Sequence, residues 1–235
     1  GILYFFPKDY TKIFWLATIP AILGVITIIG FIKEASVVEK SKITKTSYKR
    51  LPKKFYLFLA IITIFSLGNS SDALLLIKTS ETGVKASFIP LMYMIFNVVS
   101  VFFAVYIGKL SDRIGREKLI IAGFFIYALV YFLFGRFNHL NLFIVLFILY
   151  GLYSALTDGS QKAFISDIVS KELKGTGYGI YHAVLGITLL PASFIAGKLY
   201  DKIDSSVPFY FGGTMALIAA ILMLWFSKKY TVRAK

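Results

Sequence analysis

The chain has 235 residues, of which 57% are hydrophobic, 17% aromatic and only 16% charged, yet its formal net charge is +14 and its mean hydropathy is +0.75. A water-soluble domain carries charges at about a quarter of its positions, a disulfide scaffold needs cysteines and this chain has none, and a nucleic-acid binder holds its basic residues on one solvated face. Here Lys and Arg sit in short gaps between apolar runs, so the partner implied by composition is a lipid bilayer and not nucleic acid.

Crossing ~30 Å of hydrocarbon takes roughly 20 mainly apolar residues. The first such run is 13–32. It leads into 33–54, a polar stretch rich in Lys, Ser and Thr with Pro52 near its end. That composition reads as a linker, and binding of acidic lipid headgroups is the second reading of its charge. Six further runs follow at 55–77, 88–108, 119–135, 142–169, 175–197 and 207–226. None alternates like a barrel strand, and lipid offers no partner to open backbone groups. The expected fold is an all-α integral membrane bundle with seven transmembrane helices.

Lys and Arg favour the cytoplasmic side of a membrane. Nineteen of the 26 fall in alternate gaps, at 33–54, 109–118, 162–174 and from Lys228 onward. This pattern places the first residue outside and the tail in the cytoplasm. Compact loops favour a prokaryotic inner membrane. Seven spans with an outside start and Gly1 in place of Met lead to the expectation of a fragment, a removed signal peptide being the other reading.

Between the runs 88–108 and 119–135 lies Gly108-Lys109-Leu110-Ser111-Asp112-Arg113-Ile114-Gly115-Arg116-Glu117-Lys118. A tight turn between antiparallel helices needs glycine where backbones meet, and Asp112 can accept hydrogen bonds near a helix N-terminus. Further on, Ala163 and Asp167 precede Lys174, Gly175 and Gly179. The first passage resembles the G-x-L-x-D-R-x-G-R-R/K signature of the major facilitator superfamily, and the second is similar to its A-x-x-x-D-x-x-P-x-x-x-R-G-x-x-x-G passage. Ser170 stands where Pro is usual, Lys174 where Arg is usual, and Glu117 where a base is usual.

The resemblance covers essentially the whole chain. It implies helix 6 at 1–32, a cytoplasmic central loop at 33–54 and helices 7 to 12 at 55–235. It also implies a secondary transporter that moves a small-molecule solute by alternating access, an N-terminal half as missing partner, and a conformational latch at Gly108, Asp112, Arg113, Gly115 and Arg116. A turn needed only for folding is the other reading of that loop.

Ionisable groups inside a span cost several kcal/mol when they face lipid, so each is a functional candidate. The run 55–77 stops at Gly68-Asn69-Ser70-Ser71-Asp72 and resumes at Ala73. In the fifth span the apolar stretch 142–156 is about 22 Å long at 1.5 Å per residue, so the helix has to continue through Thr157, Asp158, Gly159, Ser160 and Gln161. Interrupted spans point to transporter sites. Asn69, Asp72, Asp158 and His182 are therefore the expected solute or proton pathway.

By rise per residue, Asp72 belongs to the outer part of the membrane and Asp158 to the inner part, within reach of His182, which lies ~10 Å above Gly175. A carboxylate beside an imidazole exchanges a proton near neutral pH, and Asp158 with His182 is the pair expected to do so. The other readings are a satisfied interior pair or water-facing groups for these two, and a helix end at the outer face for Asn69 and Asp72. Gly175, Gly179 and Ala183 form a small-residue stripe expected to pack closely.

A seven-helix receptor or sensor without transport activity is the alternative function. A retinal protein is excluded, because 207–226 holds no lysine for a Schiff base. No H-E-x-x-H, Walker A or paired-Asp motif points to an enzyme, and no cofactor or metal is expected.

Overall fold

A computed structural model describes residues 10–31, 50–85 and 88–230. It divides into two compact units, Gly1–Thr44 and Lys45–Lys235. Most of the basic stretch at 33–54, and the tail beyond Tyr230, lie outside the described residues. The first unit contains one helix, α1 (Tyr10–Phe31), of 22 residues with Pro20 inside it. Trp15 on this helix is exposed, as suits an interfacial anchor.

The second unit is a helical bundle: α2 (Lys53–Gly68), α3 (Ala73–Ser80), α4 (Ile89–Ile114), α5 (Arg116–Arg136), α6 (Leu140–Ile168), α7 (Lys174–Lys202) and α8 (Val207–Tyr230). With α2 and α3 counted as one interrupted span, six helices among the described residues are long and apolar enough to cross a membrane. Each run from 55–77 to 207–226 therefore coincides with helix, the helices extending past the apolar runs into their polar ends. The run 55–77 is the exception in kind, because it breaks into two helices.

Lipid tails are as apolar as leucine, so close packing rather than burial from water has to hold such helices together. α5 packs against α6 and α8, α4 against α6, and α2 against α7 and α8. Phe55, Phe58, Phe124, Tyr127, Phe134, Phe164 and Phe226 are buried at these contacts. At the α2–α8 crossing the backbones approach closely. A Cβ on Gly212 would lie 2.6 Å from the Gly68 carbonyl oxygen and 2.7 Å from the Tyr131 ring. Gly212→Leu should therefore force the helices apart and cost ~1–3 kcal/mol of folded-state stability, read as a lowered melting temperature in detergent. A Gly186→Leu control, where a Cβ meets nothing within 4 Å, should leave it unchanged.

The stripe expected to pack at Gly175, Gly179 and Ala183 does not pack within the bundle. All three are exposed, and a Cβ on Gly175 or Gly179 meets nothing within 4 Å. The same helix exposes Ile187, Leu190 and Phe194, and α4 exposes Val98, Val101, Phe102 and Val105. These two helices bury the smallest share of their apolar length, 22% and 11%.

Candidate transport site

The break between α2 and α3 creates the first polar centre. A helix end frees backbone groups that lipid cannot satisfy, and here side chains satisfy them. The Tyr127 hydroxyl donates to the Gly68 carbonyl at 3.0 Å and reaches Asn69 Oδ1 at 3.4 Å. Asn69 Nδ2 in turn donates to the Tyr153 hydroxyl at 3.4 Å. The Asn69 N–H is taken by the Phe65 and Ser66 carbonyls, and Ser71 Oγ accepts from the Ala73 N–H.

Asp72 sits at the start of α3 with its carboxylate turned to α6 and α4. Tyr150 donates to Oδ1 at 2.7 Å, and the Tyr93 hydroxyl stands 3.5 Å from Oδ2. Behind it, Tyr127, Tyr131, Tyr150 and Tyr153 form a buried ring cluster with centroids of 4.0 Å for Tyr127–Tyr131 and 5.2 Å for Tyr150–Tyr153. Phe65 extends the cluster, stacked on Phe124 at 4.2 Å. In front of Asp72 opens a cavity of about 470 Å³ lined by Asn69, Ser70, Ser71, Asp72, Leu189, Leu190 and Ser193. Its chemistry is one carboxylate, several hydroxyls and an amide, with tyrosine rings behind and leucines opposite.

Asp158 forms a second centre on α6, two turns beyond Tyr150. Ser154 Oγ donates to Asp158 Oδ2 at 2.8 Å, and Ser154 meets Ser100 of α4 at 3.0 Å. His182 does not join it. Among the described residues no ion pair or hydrogen bond links the two, and the His182 ring lies against Tyr181. Asp158 finds its partner one turn away on its own helix, whereas His182 is on the exposed face of α7. One residue earlier, Tyr181 does reach α6, donating to Gln161 Oε1 at 2.6 Å.

The turn between α4 and α5 carries the residues expected to form the latch. Gly115 adopts φ +98, a conformation that a side chain would strain, and so the chain reverses in one residue. Arg116 gathers three acceptors: Asp112 Oδ1 at 3.3 Å, Asp167 Oδ2 at 2.5 Å and the Ala163 carbonyl at 2.5 Å. Its guanidinium thus ties the turn to the end of α6. Asp112 remains largely exposed, with 70% of its side chain accessible, and Arg113 is exposed. Glu117 is buried in the first turn of α5, where the helix dipole favours an acid. These acceptors are met by two nitrogens set apart in one plane, a geometry the single ammonium nitrogen of lysine does not reproduce. Arg116→Lys should therefore lower the melting temperature nearly as far as Arg116→Ala, by ~1–2 kcal/mol once surface exposure is discounted. A lysine variant as stable as wild type would show that charge alone suffices.

At the opposite end, the structure adds a cluster absent from the sequence reading. Lys78, 5% exposed, donates at 2.7 Å to both Glu81 Oε2 and Ser205 Oγ, and Tyr200 donates to Glu81 Oε1. The short helix α3 is thereby pinned to the α7–α8 turn. Burial works to raise the Glu81 carboxyl, but hydrogen bonds from Lys78, Tyr200 and Ser205 and the Lys78 charge outweigh it and hold it below its ordinary value.

Comparison with known proteins adds a family. The model of the Major Facilitator Superfamily matches residues 55–235. An uncharacterized MFS-type transporter of Methanocaldococcus jannaschii is 36% identical over 216 residues, 88% of this chain and 54% of that protein. Multidrug resistance protein 2 of Bacillus subtilis is 30% identical over 53% of this chain and 31% of its own length. Quinolone resistance protein NorA of Staphylococcus aureus is 20% identical over 72% of this chain and 44% of its own. The chain thus spans about half the length, or less, of these relatives.

Proposed function

Because the chain belongs to the Major Facilitator Superfamily, we propose that it supplies one half, with a preceding helix, of a secondary transporter that moves a small organic solute by alternating access in exchange for protons. In this reading an N-terminal half completes the cavity, the basic loops face the cytoplasm of a prokaryote, and the exposed faces of α4 and α7 meet the other half or lipid. The solute is an amphipathic organic cation expelled from the cell. Relatives named for multidrug and quinolone resistance support that direction.

The observation that carries the reading is the broken span at Asn69–Asp72. It sets a carboxylate, fixed by Tyr150, at the wall of a 470 Å³ cavity in front of a tyrosine cluster. A carboxylate attracts a cation, and Leu189 and Leu190 in the cavity lining offer its apolar part a surface. Asp158, exposed on α6, is the proton site. The Asp112–Arg116–Asp167 clasp holds the turn that has to move when the cavity changes sides.

The test is uptake of ethidium, a fluorescent organic cation, by inverted vesicles that carry the whole protein. Saturable accumulation that collapses on adding a protonophore supports the proposal. Binding of ethidium without accumulation would instead identify a sensor.

A further inference from the structure

Between α4 and α6 runs a groove of about 410 Å³ that no part of the solute cavity shares. It extends from Ser100 and Ser154 past Asp158 to Ser111 and Asp112 at the α4–α5 turn. Its width comes from glycine: a Cβ on Gly108 or Gly159 would meet nothing within 4 Å. Its polarity comes from serine. Ser111 and Ser160 are 5% and 3% exposed, and their hydroxyls have no hydrogen-bond partner among the described residues.

Buried hydroxyls are ordinarily satisfied. Two orphans on the wall of one groove call for a ligand or water, and the space is several times the ~30 Å³ share of one water molecule. At the groove's head, Ser154 donates to one oxygen of Asp158. Among aliphatic side chains such as Val101 and Ile107, the polar side chains of the lining are all serine hydroxyls and carboxylates, and oxygens suit a hard cation. Asp112 at the mouth already faces Arg116, so Asp158 supplies a single negative charge and the cation it balances is monovalent.

We propose that this groove is a water-filled passage through which a monovalent cation, a hydrated proton or sodium ion, moves between Asp158 and the Asp112 side, by a path separate from the solute's. Other groups placed to act on Asp158 are Lys162 one turn on, Asp72, Tyr153 and Tyr181 of α7. Lys162 sits on the same helix as Asp158, at i+4. The proposal deepens the transporter reading by naming the side and route of the coupling ion. Its test needs no transport, so the two can fail separately.

This chain has no cysteine, so once any cysteine of the other half is replaced, single thiols are clean reporters. Ser160→Cys and Ser111→Cys in the whole protein, in right-side-out and inverted vesicles, are treated with cationic and anionic methanethiosulfonates of matched size. Both thiols should react from the Asp112 side only. At Ser160→Cys the cationic reagent should be faster by about tenfold, as expected for a narrow cleft of one charge sign. Adding Asp158→Asn should abolish that preference, and adding Gly159→Leu should slow both reagents.

The rate ratio also identifies the ion, because thiol ionisation cancels from it. A ratio lowered by sodium at constant pH identifies sodium, and one lowered by acid in sodium-free medium identifies the proton. A ratio moved by neither, equal rates for the two reagents, or two unreactive thiols in folded protein would overturn the proposal.

Discussion

Asp158→Asn should reduce proton-gradient-driven accumulation of the solute to background while leaving solute exchange across the membrane intact. The amide keeps the size of the side chain and can still accept the 2.8 Å hydrogen bond from Ser154, so the local fold should persist. What it loses is the ability to take up and release a proton. An exchange cycle that returns loaded in both directions needs no net proton movement, whereas accumulation against a gradient does. Counterflow of labelled against unlabelled ethidium, beside gradient-driven uptake in the same vesicles, separates the two. His182→Gln is the paired test. With no hydrogen bond or ion pair to Asp158 among the described residues, His182 should be dispensable in both assays, and an equal loss there would restore the carboxylate–imidazole pair expected from the sequence.

Asp72→Asn should act differently, weakening exchange and gradient-driven uptake together. Here the carboxylate is the counter-charge for the solute, and a hydrogen bond to a charged group contributes ~1.5–3 kcal/mol. Its loss corresponds to about tenfold to hundredfold weaker apparent affinity. The Tyr150 hydroxyl, which donates to Asp72 at 2.7 Å, keeps a carbonyl acceptor in the asparagine, so the cavity wall should survive. Half-saturation for ethidium exchange, measured over a wide concentration range, checks this. A variant with unchanged half-saturation but abolished gradient coupling would make Asp72 a proton site instead.

The bundle was legible from the sequence because membrane helices announce themselves locally. Twenty apolar residues need no knowledge of their neighbours, and the interruption at 68–72 was written in five consecutive small and polar residues. The turn at Gly115 was legible for the same reason. Contacts between helices were not. Arg116 meets Asp167 and Lys78 meets Ser205 across stretches of chain that carry no mark of the pairing; Arg116 is legible as a member of the turn motif, and Lys78 only as one charge in a gap between spans.

The tyrosine cluster was hidden differently. In a chain with 15 Tyr and 23 Phe, a ring facing lipid and a ring facing a cavity look alike, and only the placement of α5 against α6 joins Tyr127 to Tyr150 and Tyr153. Ser154 was within reach of sequence reasoning, since i and i+4 share a helix face. The expectation passed over it for a more distant histidine. The stripe at Gly175, Gly179 and Ala183 shows the converse error: spacing identifies a face, but not what covers it.

The most direct measurement of the central claim is the proton flux itself. Vesicles containing the whole protein and a luminal pH dye, with no gradient imposed, are given ethidium on one side only. The account predicts an immediate change in luminal pH with wild-type protein, opposite in direction to solute entry and absent in Asp158→Asn. Ethidium entry by wild-type protein without any pH change would contradict it.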